Sequence, residues 1–467
     1  MKKKQIMALL MTSVMAFSMA ACGGSGGSSD GGDSSSGGDS GSSGKSKITF
    51  TFRDDGTDLE TNALYKWVNA AYESWDKKDE VELDVAPITA DEGNYFTKIA
   101  LQLADPGTCP DLVCEDTFQL PNDAAAGYLT DLTDYVADYA DWNDGKYYES
   151  MQKMVTMDDK VYGIPYCTDT RGLWYNKSVL EQAGVIAAGE EWQPESWQDI
   201  LDACKAIKDN CPDVVPFWCN AGKASGEATS MQTYEMIYYG TGARLQDEDG
   251  KWITKSPEIE ESLQFLSDIF TNGYGPSLSL VLNGQAANTS SREYLPQNKL
   301  GIDLDGIWIT GSWKENGAAP WDGYEDEVGL AAMPTSEGQD PGTVTLAGGW
   351  ALSIPENSDN KDLTFEFIQH MMSPDVYLQS ILDQGNICTR TDTAEEEEYS
   401  AQPFFETATK FLETADFRPQ NDQYSTVSTS IQAMVESVVS GTSPADAMNQ
   451  YHTEVARVVG EDNTVQK

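Results

Sequence analysis

A mixed α/β fold in more than one domain is predicted by three features of the chain. Short segments in which apolar and polar residues alternate take turns with stretches whose apolar residues recur every three or four positions. These are the periods of strand and helix. The first units read strand, helix, strand, helix, strand, which opens a mostly parallel sheet. After a low-complexity start about 420 residues remain, more than a single core ordinarily serves.

Ile48, Phe50 and Phe52 alternate with polar residues and predict the first strand. Leu64, Trp67, Val68, Ala71 and Trp75 then fall on one helical face. Val81, Leu83 and Val85 read as the next strand, and Phe96, Ile99, Ala100 and Leu103 as the next helix. Leu112 and Val113 open the third strand. Later helices are punctuated by caps. Ser196 and Asp199 form a capping box ahead of Trp197, Ile200, Leu201, Cys204 and Ile207. Ser256-Pro257 starts a helix carrying Ile259, Leu263, Leu266 and Phe270, and Asn272-Gly273 stops it. Leu363, Phe367 and Met371 mark another, ended before Pro374. Val427, Ile431, Met434, Val435 and Val438 predict a helix ended by Gly441. Ser443-Pro444 starts the last, with Met448, Tyr451, Val455 and Val458 inward.

The N-terminus reads as an address. Lys2, Lys3 and Lys4 precede an apolar run from Ile6 to Met19, with small residues before Cys22. That is the layout of a secretory signal over residues 1–21, too short to span a membrane. Met19-Ala20-Ala21-Cys22 resembles a bacterial lipobox, with Met19 where Leu is usual. The resemblance implies a lipid on Cys22 and a place on the extracellular face of the cell membrane. Residues 23–46 hold only Gly, Ser, three Asp and Lys45. Such a composition cannot bury a core, and residues 22–46 read as a lipidated Cys with a disordered tether spanning roughly 25–30 Å.

A net charge of −46 (30 basic against 76 acidic residues) argues against nucleic acid or anionic lipid as a partner. Beyond Cys22 seven cysteines remain, an odd number. Cys109/Cys114 and Cys204/Cys211 are near enough in sequence for local disulfides, but buried free thiols are the simpler reading. With no CxxC pair and only His370 and His452, neither a metal site nor a histidine-based triad is expected. No phosphate-binding Gly-rich loop is present, so the chain is not itself an ATPase.

The stretch from Asp159 to Pro165 (DKVYGIP), through Trp174-Tyr175-Asn176-Lys177, to Pro194-Glu195-Ser196-Trp197 is distinctive. It resembles the extracellular solute-binding proteins of family 1, the maltose-binding-protein-like receptors of bacterial ABC carbohydrate importers. Asp116 to Gln119 with Ala126 to Leu129, the polar segment Gly240 to Lys251, Gly306-Ile307-Trp308, Gly329 to Pro334, Gly348-Gly349-Trp350 and Ser353-Ile354-Pro355 follow in the family's order. The resemblance covers nearly all of residues 48–460. It implies two α/β lobes joined by crossing hinge segments, with the ligand in a cleft between them. Crossings are expected near Thr168–Gly172, Leu330–Pro334 and Cys388–Thr393. Lobe one is then 47–168 plus 333–390, and lobe two 169–332 plus 391–467. It also implies a monomeric, non-catalytic receptor without cofactor. Such a receptor captures an oligosaccharide for permease subunits served by a separate ATPase.

A sugar offers apolar C–H faces and a rim of hydroxyls, which call for aromatic platforms and planar polar groups. One platform contributes about 1.5 kcal/mol, while micromolar binding needs about 8 kcal/mol. Several hydrogen bonds must therefore contribute. Trp308 and Trp350 follow glycines at positions the family uses for stacking; Trp313 and Tyr166 are further candidates. Asp116, Asp169 and Arg171 are the polar candidates, with one of Arg53, Asp54 and Asp55 after the first strand. Trp67, Trp75 and Trp197 read as packing. Two other readings stand beside this one: a receptor for a peptide or polyamine, and a surface glycoside hydrolase, which would need two carboxylates at catalytic separation.

Overall fold

Ile48 and Phe50 of the first expected strand are fully buried, and the chain alternation around them sets the first sheet. The computed structural model describes residues 45–56, 58–90 and 92–467. The signal, Cys22 and nearly all of the tether lie outside the described residues. Residues 45–467 form one compact unit.

The strands that build the two main sheets are, in chain order, β1 (Ser46–Thr51), β2 (Val81–Val85), β3 (Leu112–Asp116), β4 (Ile164–Asp169), β5 (Arg171–Asn176), β6 (Val215–Trp218), β7 (Leu300–Gly306) and β8 (Val328–Ala331). β9 (Thr343–Leu346) and β10 (Gly348–Ser353) follow. The first sheet runs β2-β1-β3-β10-β4. β1 lies parallel to β2 and β3, as the strand–helix–strand reading requires, whereas β10 is antiparallel to both neighbours. The second sheet runs β6-β7-β5-β8, with β5 antiparallel to β7 and β8. One residue, Thr170, separates β4 from β5, so the chain passes from one sheet to the other at the first expected crossing. The return differs from expectation. Met333–Pro334 pairs with β9, which pairs in turn with Ala415–Asp416. Met333, Val344 and Leu346 pack in the second core, and the chain re-enters the first sheet only at Gly348. The stretch from Leu330 to Pro334 leads from β8 into this small third sheet rather than back to the first.

The helices follow their caps. α1 (Ala63–Ser74) starts at Asn62, whose side chain accepts from the Leu64 and Tyr65 amides. α2 (Glu92–Ala104) precedes β3. α3 (Trp197–Asn210) opens with the Ser196–Asp199 capping box. α4 (Pro257–Thr271) has Ser256 as N-cap and Pro257 in the first turn, where the missing N–H costs nothing. α5 (Lys361–Met371) and α6 (Pro374–Gln384) cover the first sheet; α7 (Tyr424–Val439) and α8 (Pro444–Val459) lie in the second core. Glu395 to Glu398 are exposed, as a solvated acidic run should be. The seven described cysteines are all free, and all but Cys109 are buried. Among the described residues no helix is long and apolar enough to cross a membrane.

Candidate functional site

Parallel strands end in loops at one edge of their sheet, and crevices form there. The ends of β1, β3 and β4, the start of β10, the start of β5 and the turn after β7 line one cavity of about 320 Å³. That lies at the lower end of the range for small-molecule sites.

Trp350 sits on β10 opposite Asp116 of β3 and Cys167 of β4. Its ring lies beside Phe96, with centroids 6.3 Å apart and planes within 20°. The two glycines before it stand close to their neighbours, Gly349 against backbone and Gly348 against a side chain. A Cβ on Gly349 would stand 2.3 Å from the Cys167 carbonyl, and one on Gly348 would stand 2.9 Å from the Arg418 guanidinium. Trp308 leaves the end of β7 and folds back over Gly306, where a Cβ would stand 1.8 Å from the indole. The Arg171 guanidinium lies 4.9 Å from the Trp308 ring centroid, within cation–π range. Both tryptophans are half-buried and both line the cavity.

Asp169 ends β4 and Arg171 begins β5; the two form a buried ion pair across the crossing. Asp169 also accepts from the Gly348 amide at 2.9 Å, and Arg171 donates to the Leu346 carbonyl at 3.0 Å. Asp116 accepts from the Phe118 amide at 3.1 Å and from Arg418 Nη2 at 2.8 Å. Burial raises the Asp116 pKa, and the Arg418 charge opposes that rise. Arg53, Asp55 and Tyr166 line the cavity as well.

Two candidates lie elsewhere. Asp54 alternates away from Arg53 and Asp55. It accepts from the Thr89 hydroxyl at 2.8 Å and the Gly56 amide at 3.2 Å, which shapes the turn. Trp313 is 1% exposed, with its ring packed against Trp174, Trp321 and Tyr324. Its indole N–H donates to the Ser291 carbonyl at 2.8 Å. It is a core residue.

Four charged groups in the lining, Glu227, Arg292, Asp383 and Arg418, are not among the residues the sequence singles out. Arg418 is buried, bonds Asp116 and reaches Glu227 at 3.3 Å. It also lies 4.9 Å over the Phe118 ring. Arg292 pairs with Asp55 at 2.8 Å. One signal was available: arginine is scarce in this acidic chain, and Arg53, Arg171, Arg292 and Arg418 converge here while only Arg244, Arg390 and Arg457 lie elsewhere. Behind Glu227, the Tyr424 hydroxyl bonds both Glu227 and Glu235. Burial, with Glu227 nearby, pushes Glu235 up to about 8. Among the described residues no group of three or more His, Cys, Asp or Glu is placed to hold a metal.

Residues 57–377 match the model of the bacterial extracellular solute-binding protein family. The chain belongs to that family. It is a bacterial extracellular solute-binding protein, a receptor rather than an enzyme. The two-lobe architecture recurs in a Thermotoga lettingae ABC transporter solute-binding protein crystallised with α-D-tagatose. The two align with a TM-score of 0.75 and 23% identity, over 89% of this chain and all of that one. Arabinooligosaccharide-binding protein of Halalkalibacterium halodurans is 23% identical over 69% of this chain and 66% of its own length. A match to the Escherichia coli protein YcjN, described as an ABC transporter periplasmic-binding protein, is 23% identical over 49% of this chain and spans half of that protein.

Proposed function

We propose that the protein is a lipid-anchored receptor that captures a neutral oligosaccharide and presents it to the permease of an ABC importer. One observation carries the reading: two half-buried tryptophans share a single cavity with guanidinium–carboxylate pairs. The rings suit the C–H faces of a sugar. Ion pairs suit hydroxyls, which both donate and accept. Arg171, Arg292 and Arg418 each hold a carboxylate, so a peptide terminus or a polyamine would have to break an existing pair. The sugar ligands named for the relatives support the same class. Trp350, Trp308, Asp116, Asp169, Arg171, Arg53, Asp55 and Tyr166 are the proposed contacts. The proposed lobes are 47–168 with 348–390, and 169–347 with 391–467.

A thermal-shift screen against plant and host oligosaccharides tests the reading. A ligand at about 100 times Kd adds roughly 2.7 kcal/mol of stability. Stabilisation by peptides or polyamines, and by no sugar, would replace the proposal. For the anchor, Cys22→Ala should release the protein from membranes or block its processing. Unchanged membrane retention, with no lipid on the wild-type N-terminus, would remove that part.

A further inference from the structure

A second hollow of about 150 Å³ adjoins the principal cavity. Thr61, Gly311 and Asp383 line both, so the two share a border. The hollow contains no aromatic ring. Its remaining wall is Lys66, Lys314, Glu315, Asn316 and Gly317. We propose that this hollow is a second subsite, which takes the hydroxyl-rich end of a sugar chain whose preceding units occupy the tryptophan-lined cavity. The proposal rests on the receptor reading above.

Its walls are built rather than accidental. Lys66 Nζ on α1 donates to the Asn316 carbonyl at 2.7 Å, fastening the two sides of the hollow together. Lys314 Nζ donates to the Leu382 carbonyl and, at 2.9 Å, to Gln402 Oε1. An ammonium has three donors, so one remains for a ligand oxygen. Burial lowers the Lys314 pKa to about 8, which leaves it a charged donor at neutral pH. Gly317 keeps the loop flat: a Cβ there would stand 2.4 Å from the Gly311 carbonyl. Lys66 and Lys314 are matched in the wall by Glu315 and Asp383. Matched charge and donors beside acceptors fit neutral hydroxyls. Without a ring for stacking, the unit held here is gripped by hydrogen bonds alone.

The test is calorimetric titration of the full-length mature protein with malto-, arabino- and cello-oligosaccharides of increasing length. In the series that binds, affinity should rise about tenfold at the length that reaches the hollow, the effect of one charge-assisted hydrogen bond. Asn316→Trp, at an exposed position, fills the hollow and should abolish that step. The shortest binder should keep its affinity within about twofold. Lys314→Met removes the donor and should reduce the same step, which keeps the test open if the tryptophan variant folds poorly. No length step in the wild type, or an equal loss at every length in both variants, overturns the subsite. Wild-type protein that binds no sugar of any series overturns the receptor reading instead, and the subsite with it.

Discussion

Trp308 and Trp350 each present a ring to the cavity while resting on protein behind, Arg171 in one case and Phe96 in the other. Trp308→Ala and Trp350→Ala should each weaken sugar binding by about 1–3 kcal/mol, measured by calorimetry, because stacking and burial are lost together. A variant that binds normally but melts far lower would assign its ring to packing. Glu235 gives a pH prediction. Its folded pKa of about 8 lies above the ordinary carboxylate value near 4.3. Between the two, the folded protein holds a proton that the unfolded chain has released. Stability from this group is therefore full at low pH and falls as pH rises towards 8. Glu235→Gln keeps the hydrogen bond without the titration. The difference in melting temperature between variant and wild type should thus grow from pH 5 to pH 8; a constant difference would remove Glu235 as the cause. Much of this site was legible because the informative residues are sequence neighbours: glycine one or two positions before tryptophan, aspartate at a strand end. Arg418, Glu227 and Arg292 were not, since they reach the cavity from distant segments that only the topology brings together. Trp313 misled because a helix of five residues is too short for its periodicity to declare which way a ring turns.

Between residue and molecule, the turns at the strand ends hold the rings in place. Gly306 is the clearest case. A Cβ there overlaps the Trp308 indole, so Gly306→Ala should swing the ring away although the tryptophan remains. Sugar binding should fall about as far as in Trp308→Ala, with a loss of stability of about 1–3 kcal/mol from the clash, read from a melting curve. Normal binding in Gly306→Ala would mean that the ring has another resting place and that the turn is not its support. Elements with strong period and caps, α3 and α4 above all, lie where the pattern puts them, because Ser196 and Ser256 satisfy amides that the helix leaves unpaired. The third sheet was invisible for the opposite reason. Met333–Pro334 and Ala415–Asp416 are two residues long and take their structure from β9, far from one of them in sequence. The late return at Gly348 follows from that pairing, since the chain cannot rejoin the first sheet until β9 is complete.

Several bonds tie the molecule across the cavity. Arg418 bonds both Asp116 of the first sheet and Glu227 beside the second. Asp55, after β1, pairs with Arg292. Lys66 of α1 bonds the Asn316 carbonyl. If the lobes rotate about the crossing at Thr170, these bonds exist only while the lobes are together, and each biases the molecule towards closure. A ligand that touches both walls adds to the same side of the balance; one that touches a single wall binds open and closed forms alike and shifts nothing. The Asp55–Arg292 pair is partly exposed, with 17% and 20% of the side chains accessible. Its loss should cost about 1 kcal/mol, or about fivefold in the ratio of closed to open forms. Asp55→Asn should therefore enlarge the radius of gyration of the unliganded protein in solution scattering, and saturating sugar should reduce it again. Reversing the pair, Asp55→Arg with Arg292→Asp, should restore the compact unliganded form, because attraction and not identity makes the tie. Sugar binding should stay weak in that double variant, since both side chains also face the cavity, and this separates a tie from a ligand contact. Saturation of the wild type without any change in radius would leave a receptor whose lobes do not close.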